Sequence, residues 1–257
     1  MPNNFDDTSR MRARFITTTI GRLFGLALFT LAILLCRPIM AGTPPNVTQG
    51  ELDQLPPYCP HTMGFGYAMS GPNTSPKASY WVAILGSDHW KLHHYCWALV
   101  NIRRYENRTL PPQVRKHLLT VAVSDIDWTI KNSTRELVLL PEIYTRLGEV
   151  HLLLTDVGAA YDAFLHARQI KPDYWPAYTN WANALIKSGM KADAKKLVEQ
   201  GLMHAPDSKI LQDQFRSLGG DPASIKVAIK PTPSASDPQS LPNANTAPSV
   251  TATEEKK

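Results

Sequence analysis

The chain repeats itself at an interval of 34 residues, and this constrains its fold more than any other feature. Ala160 recurs as Ala194, Ala167 as Gly201 and Pro172 as Pro206, and Tyr144 recurs as Tyr178 in the same register. An interval of this length belongs to a helix–turn–helix unit used more than once, because one such unit cannot cover its own apolar face. Small Ala and Gly let two helices approach, aromatic side chains fill the space between them, and Pro ends the second helix. The expected fold class is all-α.

Tyr144, Leu147, Gly148, Ala160, Phe164, Ala167 and Pro172 stand at the spacings W-x2-L-G-x2-Y…A-x3-F…P. On these residues the segment 140–174 resembles the tetratricopeptide repeat family, with His151 where the family carries a large aromatic. A second unit matches at Tyr178, Gly189, Ala194 and Pro206 and departs at Trp181, Ala182 and Val198. The resemblance implies a short solenoid of helical hairpins, with units over 141–174 and 175–208. Such arrays want three or more units with atypical ends. Ile210, Leu211, Phe215 and Leu218 predict a capping helix within 208–220, stopped by Gly219 and Gly220. Upstream, apolar periodicity predicts helices over 88–106 and 114–131, a non-standard hairpin spanning 88–133.

Members of this family present the first helix of each unit along a groove that takes an extended peptide or a partner's helix. In the matched register the groove positions are Thr145, Glu149, Leu152 and Leu153, then Thr179, Asn183, Ile186 and Lys187. Asn183 stands where the family often places an amide that clamps a peptide backbone, since an amide donates and accepts at once. Thr145, Arg146, Thr179 and Asn180 occupy the places where carboxylate-clamping members need Lys and Arg. Recognition of a chaperone C-terminus is therefore not expected. Tyr174, Trp175, Tyr178 and Trp181 cluster where the units meet and read as packing residues.

The ends of the chain read differently. Arg10, Arg12, Arg14 and Arg22 precede an apolar run from Leu23 to Cys36, and Arg37-Pro38 stops it. That run is short for a membrane span and suits an export signal over 1–41, with an uncleaved anchor as the alternative. The leader is similar to bacterial ones, so the expected location is periplasmic or secreted, or else anchored in the inner membrane. Residues 1–41 hold five of the 27 Lys and Arg and two of the 22 Asp and Glu. What remains is nearly neutral, which removes the compositional case for nucleic-acid binding. The tail 221–257, rich in Pro, Ser, Thr and Ala and without an aromatic, reads as disordered. The membrane is approached only through an uncleaved leader.

Between the leader and the first predicted helix lies an irregular segment, 42–87. Once the leader is gone, Cys59 and Cys96 are the remaining cysteines, and an exported pair tends to oxidise. The expected disulfide tethers this segment to the helix beginning near Asp88. A metal- or haem-binding accessory protein is the competing reading: on a helix, His89, His93 and Cys96 share one face, and His61 supplies a further donor. No C-x-x-C pair and no C-x-x-C-H attachment supports it, so no cofactor is expected. Asp125 and Asp127 flank Ile126 and read as a solvated face. No nucleophile elbow, P-loop or H-E-x-x-H motif is present, and the chain reads as a binder of a protein or peptide and not as an enzyme, with a histidine-based site at His93 and His94 as the remaining alternative.

Overall fold

A computed structural model describes residues 44, 46–63, 75 and 77–226; the leader 1–41 and all of the tail beyond 226 lie outside the described residues. Among the described residues the fold is all-α: nine α-helices, three short 3₁₀ turns and no strand. None of these helices is long and apolar enough to cross a membrane. The helices are α1 (Gln49–Leu52), α2 (Ala78–Leu85), α3 (Leu92–Tyr105), α4 (Pro112–Asn132), α5 (Leu140–Leu153), α6 (Val157–Ile170), α7 (Trp175–Lys187), α8 (Lys191–His204) and α9 (Lys209–Ser217). From α3 onward they pack in chain order as hairpins, α3 on α4, α5 on α6 and α7 on α8, with α9 closing against α7 and α8.

Each hairpin starts and stops for local reasons. Proline opens α4, α5 and α7 within the first two positions, where a missing N–H costs nothing. Asp156 accepts from the Ala159 N–H to cap α6, and Ser208 caps α9 through the Leu211 N–H. Between α7 and α8 the chain turns through Gly189 at φ 81°, with Gly189 N–H on Ile186 O and Met190 N–H on Leu185 O. The same two bonds recur 34 residues earlier, from Thr155 to Leu152 and from Asp156 to His151, but here Thr155 holds φ 64°. A β-branched residue pays about 1 kcal/mol for that left-handed conformation. Thr155→Gly is therefore expected to raise stability by about 0.5–1 kcal/mol, read as a higher urea midpoint with an unchanged slope.

The 34-residue register runs on into α9. Ile143, Ala177 and Leu211 succeed one another at that interval and are all fully buried; Leu147, Trp181 and Phe215 do the same and are at most 8% exposed. The capping helix thus stands in the register of the first helices α5 and α7. The core divides in two. One cluster joins α3, α4 and α5 with Leu55, Tyr58 and Cys59 of the N-terminal segment. The other joins α6, α7, α8 and α9 around Phe164, Trp181 and Leu202.

The described part of the N-terminal segment holds more regular structure than its sequence suggests. It contains α1, whose Thr48 and Glu51 cap each other, and α2, within the span expected to be irregular. Cys59 and Cys96 are joined, with Cα atoms 5.7 Å apart and both residues fully buried. The expected helix over 88–106 is also divided. Ser87–Lys91 forms a 3₁₀ turn and only Leu92–Tyr105 is α-helical, because Asp88 is drawn to the α4–α5 loop. There its Oδ2 accepts from Thr134 N–H and Oγ1 at 2.8 and 2.7 Å, while Oδ1 accepts from Lys91.

Candidate functional site

Successive first helices α5, α7 and α9 carry a polar row on one face. Arg146, Asn180 and Gln214 lie 34 residues apart, one on each helix. Arg146 Nη1 donates to Glu149 Oε2 at 2.5 Å, and the other oxygen of Glu149 accepts from Asn180 Nδ2. Gln214 Nε2 donates to Asn183 Oδ1 at 2.8 Å and accepts, on its own oxygen, the Thr179 hydroxyl at 2.6 Å. At the other end Tyr95 of α3 donates to Glu142 Oε1 at 2.9 Å. The row so links four helices through side-chain hydrogen bonds.

Burial pushes the Glu142 carboxyl up, and the Tyr95 hydroxyl and Arg146 pull it back. Glu149 is likewise raised by burial, against the pull of Arg146 and Asn180. Next to these groups opens a cavity of about 560 Å³, with Glu142 and Arg146 on one side, Leu99 and Arg103 of α3 with Glu106 just after it on another, and Gln54–Pro56 closing the third. The N-terminal segment is held there by Arg104 on Glu51 and by Arg103 on Gln54, and the guanidinium holds the Glu51 carboxyl at about 2.

The expected groove residues separate by register. Asn183 and Lys187 are exposed, Leu153 is exposed, and Glu149 is half-buried within the row. Thr145 and Thr179 are both buried: Thr145 donates to Pro141 O of its own helix, and Thr179 donates to Gln214. Leu152 and Ile186, one interval apart, pack against the second core cluster. The open face consists of positions 146/180, 149/183 and 153/187, one residue round the helix from the Thr positions. Arg146 and Asn180 stand at that spacing in the sequence, and Gln214 follows from continuing the interval into α9; Glu142, set by its bond to Tyr95 of α3, has no such signal.

The rings of His61, His89 and His93 are each engaged by a hydrogen bond of their own. His61 Nδ1 lies 2.6 Å from Ser75 Oγ, His89 Nε2 donates to the His61 carbonyl at 3.0 Å, and His93 Nδ1 donates to the Trp90 carbonyl at 2.6 Å. Burial pushes all three rings down, favouring the neutral form. Cys96 Sγ is bonded to Cys59, so the set His61, His89, His93 and Cys96 offers no thiolate, and the 3₁₀ turn takes His89 off the helical face assumed for it. Among the described residues no group of three or more His, Cys, Asp or Glu is placed to hold a metal ion. Asp125 departs from expectation. It is fully buried and accepts from His94 Nδ1 at 2.7 Å, whereas Asp127 is exposed as the sequence suggests. Burial raises the Asp125 carboxyl, and the His94 hydrogen bond opposes that. Trp128 lies over His94 with ring centroids 3.9 Å apart. Comparison with protein families, with curated proteins and with solved structures finds no match to this chain.

Proposed function

We propose that this chain is an exported protein–protein interaction scaffold of the tetratricopeptide kind, periplasmic or secreted, holding an extended segment of a partner along its open face. One observation carries the reading: Arg146, Asn180 and Gln214 recur at the repeat interval, and Arg146 at the start of the row lines a cavity of about 560 Å³. Amide and guanidinium groups spaced along successive helices offer donors and acceptors at intervals that an extended backbone can meet. Arg103, Arg146 and Lys187 stand against Glu106, Glu142 and Glu149, so the face carries both signs and suits a peptide better than a polyanion.

Asn183→Ala combined with Lys187→Glu changes two exposed positions. In cross-linking from intact cells it is expected to lower recovery of the bound partner about tenfold while the melting curve stays cooperative. Unchanged recovery from a folded variant places binding on another surface.

A further inference from the structure

At the C-terminal end of α3, close to the first cavity, the turn into α4 and the turn between α5 and α6 border a second pocket of about 300 Å³. Its cations are Arg108, Arg115 and Lys116, and none of its lining residues is acidic. Arg115 is fixed in place: its Nε donates to the Tyr105 carbonyl at 2.7 Å and its guanidinium lies over the Tyr105 ring, 4.5 Å from the centroid. That leaves its terminal nitrogens, the half of the fork that grips carboxylates and phosphates, without a partner among the described residues. Arg108 and Lys116 are exposed and make no ion pair with a described residue. The neighbouring acids are engaged elsewhere: Glu106 faces the first cavity and Asp156 caps α6. Leu119, Leu153 and Leu154 supply an apolar side, and Leu153 is 45% exposed.

Three cations gathered without a counter-charge repel one another, and Arg115, held by Tyr105 through its Nε and its ring face, leaves its terminal donors unused. Both costs are recovered if an anion enters. We infer that this pocket binds a small organic anion, a carboxylate or phosphate joined to a short apolar group. The charged end meets Arg115, Arg108 and Lys116, and the apolar end lies on the leucines. The volume is at the lower end of ligand pockets, which fits a molecule of this size.

The test uses the full-length protein with hexyl phosphate, hexanoate, inorganic phosphate and hexanol as probes, followed by calorimetric titration and thermal melting. Hexyl phosphate and hexanoate are expected to bind, to weaken as salt is raised, and to lift the melting temperature by about 5 °C near saturation. Inorganic phosphate and hexanol are each expected to bind at least about tenfold more weakly, because each lacks one half of the match. Arg108→Gln with Lys116→Gln, both at exposed positions, should lower hexyl phosphate affinity about tenfold without altering the melt of the free protein. Equal binding of hexanol, binding untouched by the double substitution, or no binding of either organic anion overturns the inference. Sedimentation with phosphatidylglycerol vesicles that needs Arg108 and Lys116, in a protein indifferent to hexyl phosphate, also overturns it, in favour of a membrane surface.

Discussion

Replacing Cys59 and Cys96 together by alanine is expected to cost about 4 kcal/mol of stability, because the bond closes a loop with a sequence separation of 37. Most of that comes from the unfolded chain, which regains the freedom the link removes. The folded state loses as well. Leu55, Tyr58 and Cys59 belong to the core formed by α3, α4 and α5, and Tyr58 meets Trp81 edge-on with centroids 6.0 Å apart. Polar contacts compensate weakly. Arg104 and Glu51 pair at 2.5 Å but each side chain is 21% exposed, and such a pair contributes about 1 kcal/mol or less. For a folded region of this length the melting temperature should fall by about 10 °C, and the same fall should appear on reduction of the native protein. Protease cleavage within residues 46–62 should accompany it, since the segment is then held by side-chain contacts alone. A melt that is indifferent to reductant would show that the segment is seated without its covalent link.

What the sequence discloses of this fold is whatever repeats. The buried set Ile143, Ala177 and Leu211 and the turn at Gly189 follow from one interval, and α9 falls into place because it obeys the same interval. The polar row is legible to within one residue. Thr145 and Thr179 sit a single position from Arg146 and Asn180, about 100° round a helix, and an error of that size exchanges the buried edge of a helix for its open face. The N-terminal segment is less legible. Nothing in Ala78–Leu85 marks a helix start: Lys77 gives no side-chain cap, and the apolar residues follow one another without the helical period. Its order comes from tertiary contacts, which local pattern does not carry. Asp125 is hidden for a related reason. A carboxylate on a helix reads as solvated unless its partner is known, and that partner, His94, lies 31 residues away on another helix. Buried pairs of this kind are fixed by packing between helices, and sequence spacing within one helix does not reveal them.

Phe164→Ala is expected to cost about 4 kcal/mol, and the two units together explain why the loss is large. Phe164 is fully buried, and its ring lies against Gly148 so closely that a methyl group built there would stand 2.9 Å from the ring carbons. One interval later the same two places hold Ala182 and Val198, both fully buried. The smaller partner in one helix is thus matched to the larger in the other, Gly with Phe in the first unit and Ala with Val in the second. Gly148→Ala alone should destabilise by about 2 kcal/mol through overpacking, despite the better helix propensity of alanine. Phe164→Val alone should cost about 3 kcal/mol through the space it leaves, including lost contact with Trp181, whose ring centroid is 5.7 Å from that of Phe164. The double substitution Gly148→Ala/Phe164→Val copies the second unit's pair into the first. It is expected to cost about 1.5 kcal/mol less than the two singles added together, because the new methyl occupies part of the space the ring vacates. Urea unfolding of the four proteins measures that coupling directly. Strict additivity would mean that the two hairpins hold their helices apart by other contacts, and the exchange of Gly and Phe for Ala and Val would then have no steric meaning.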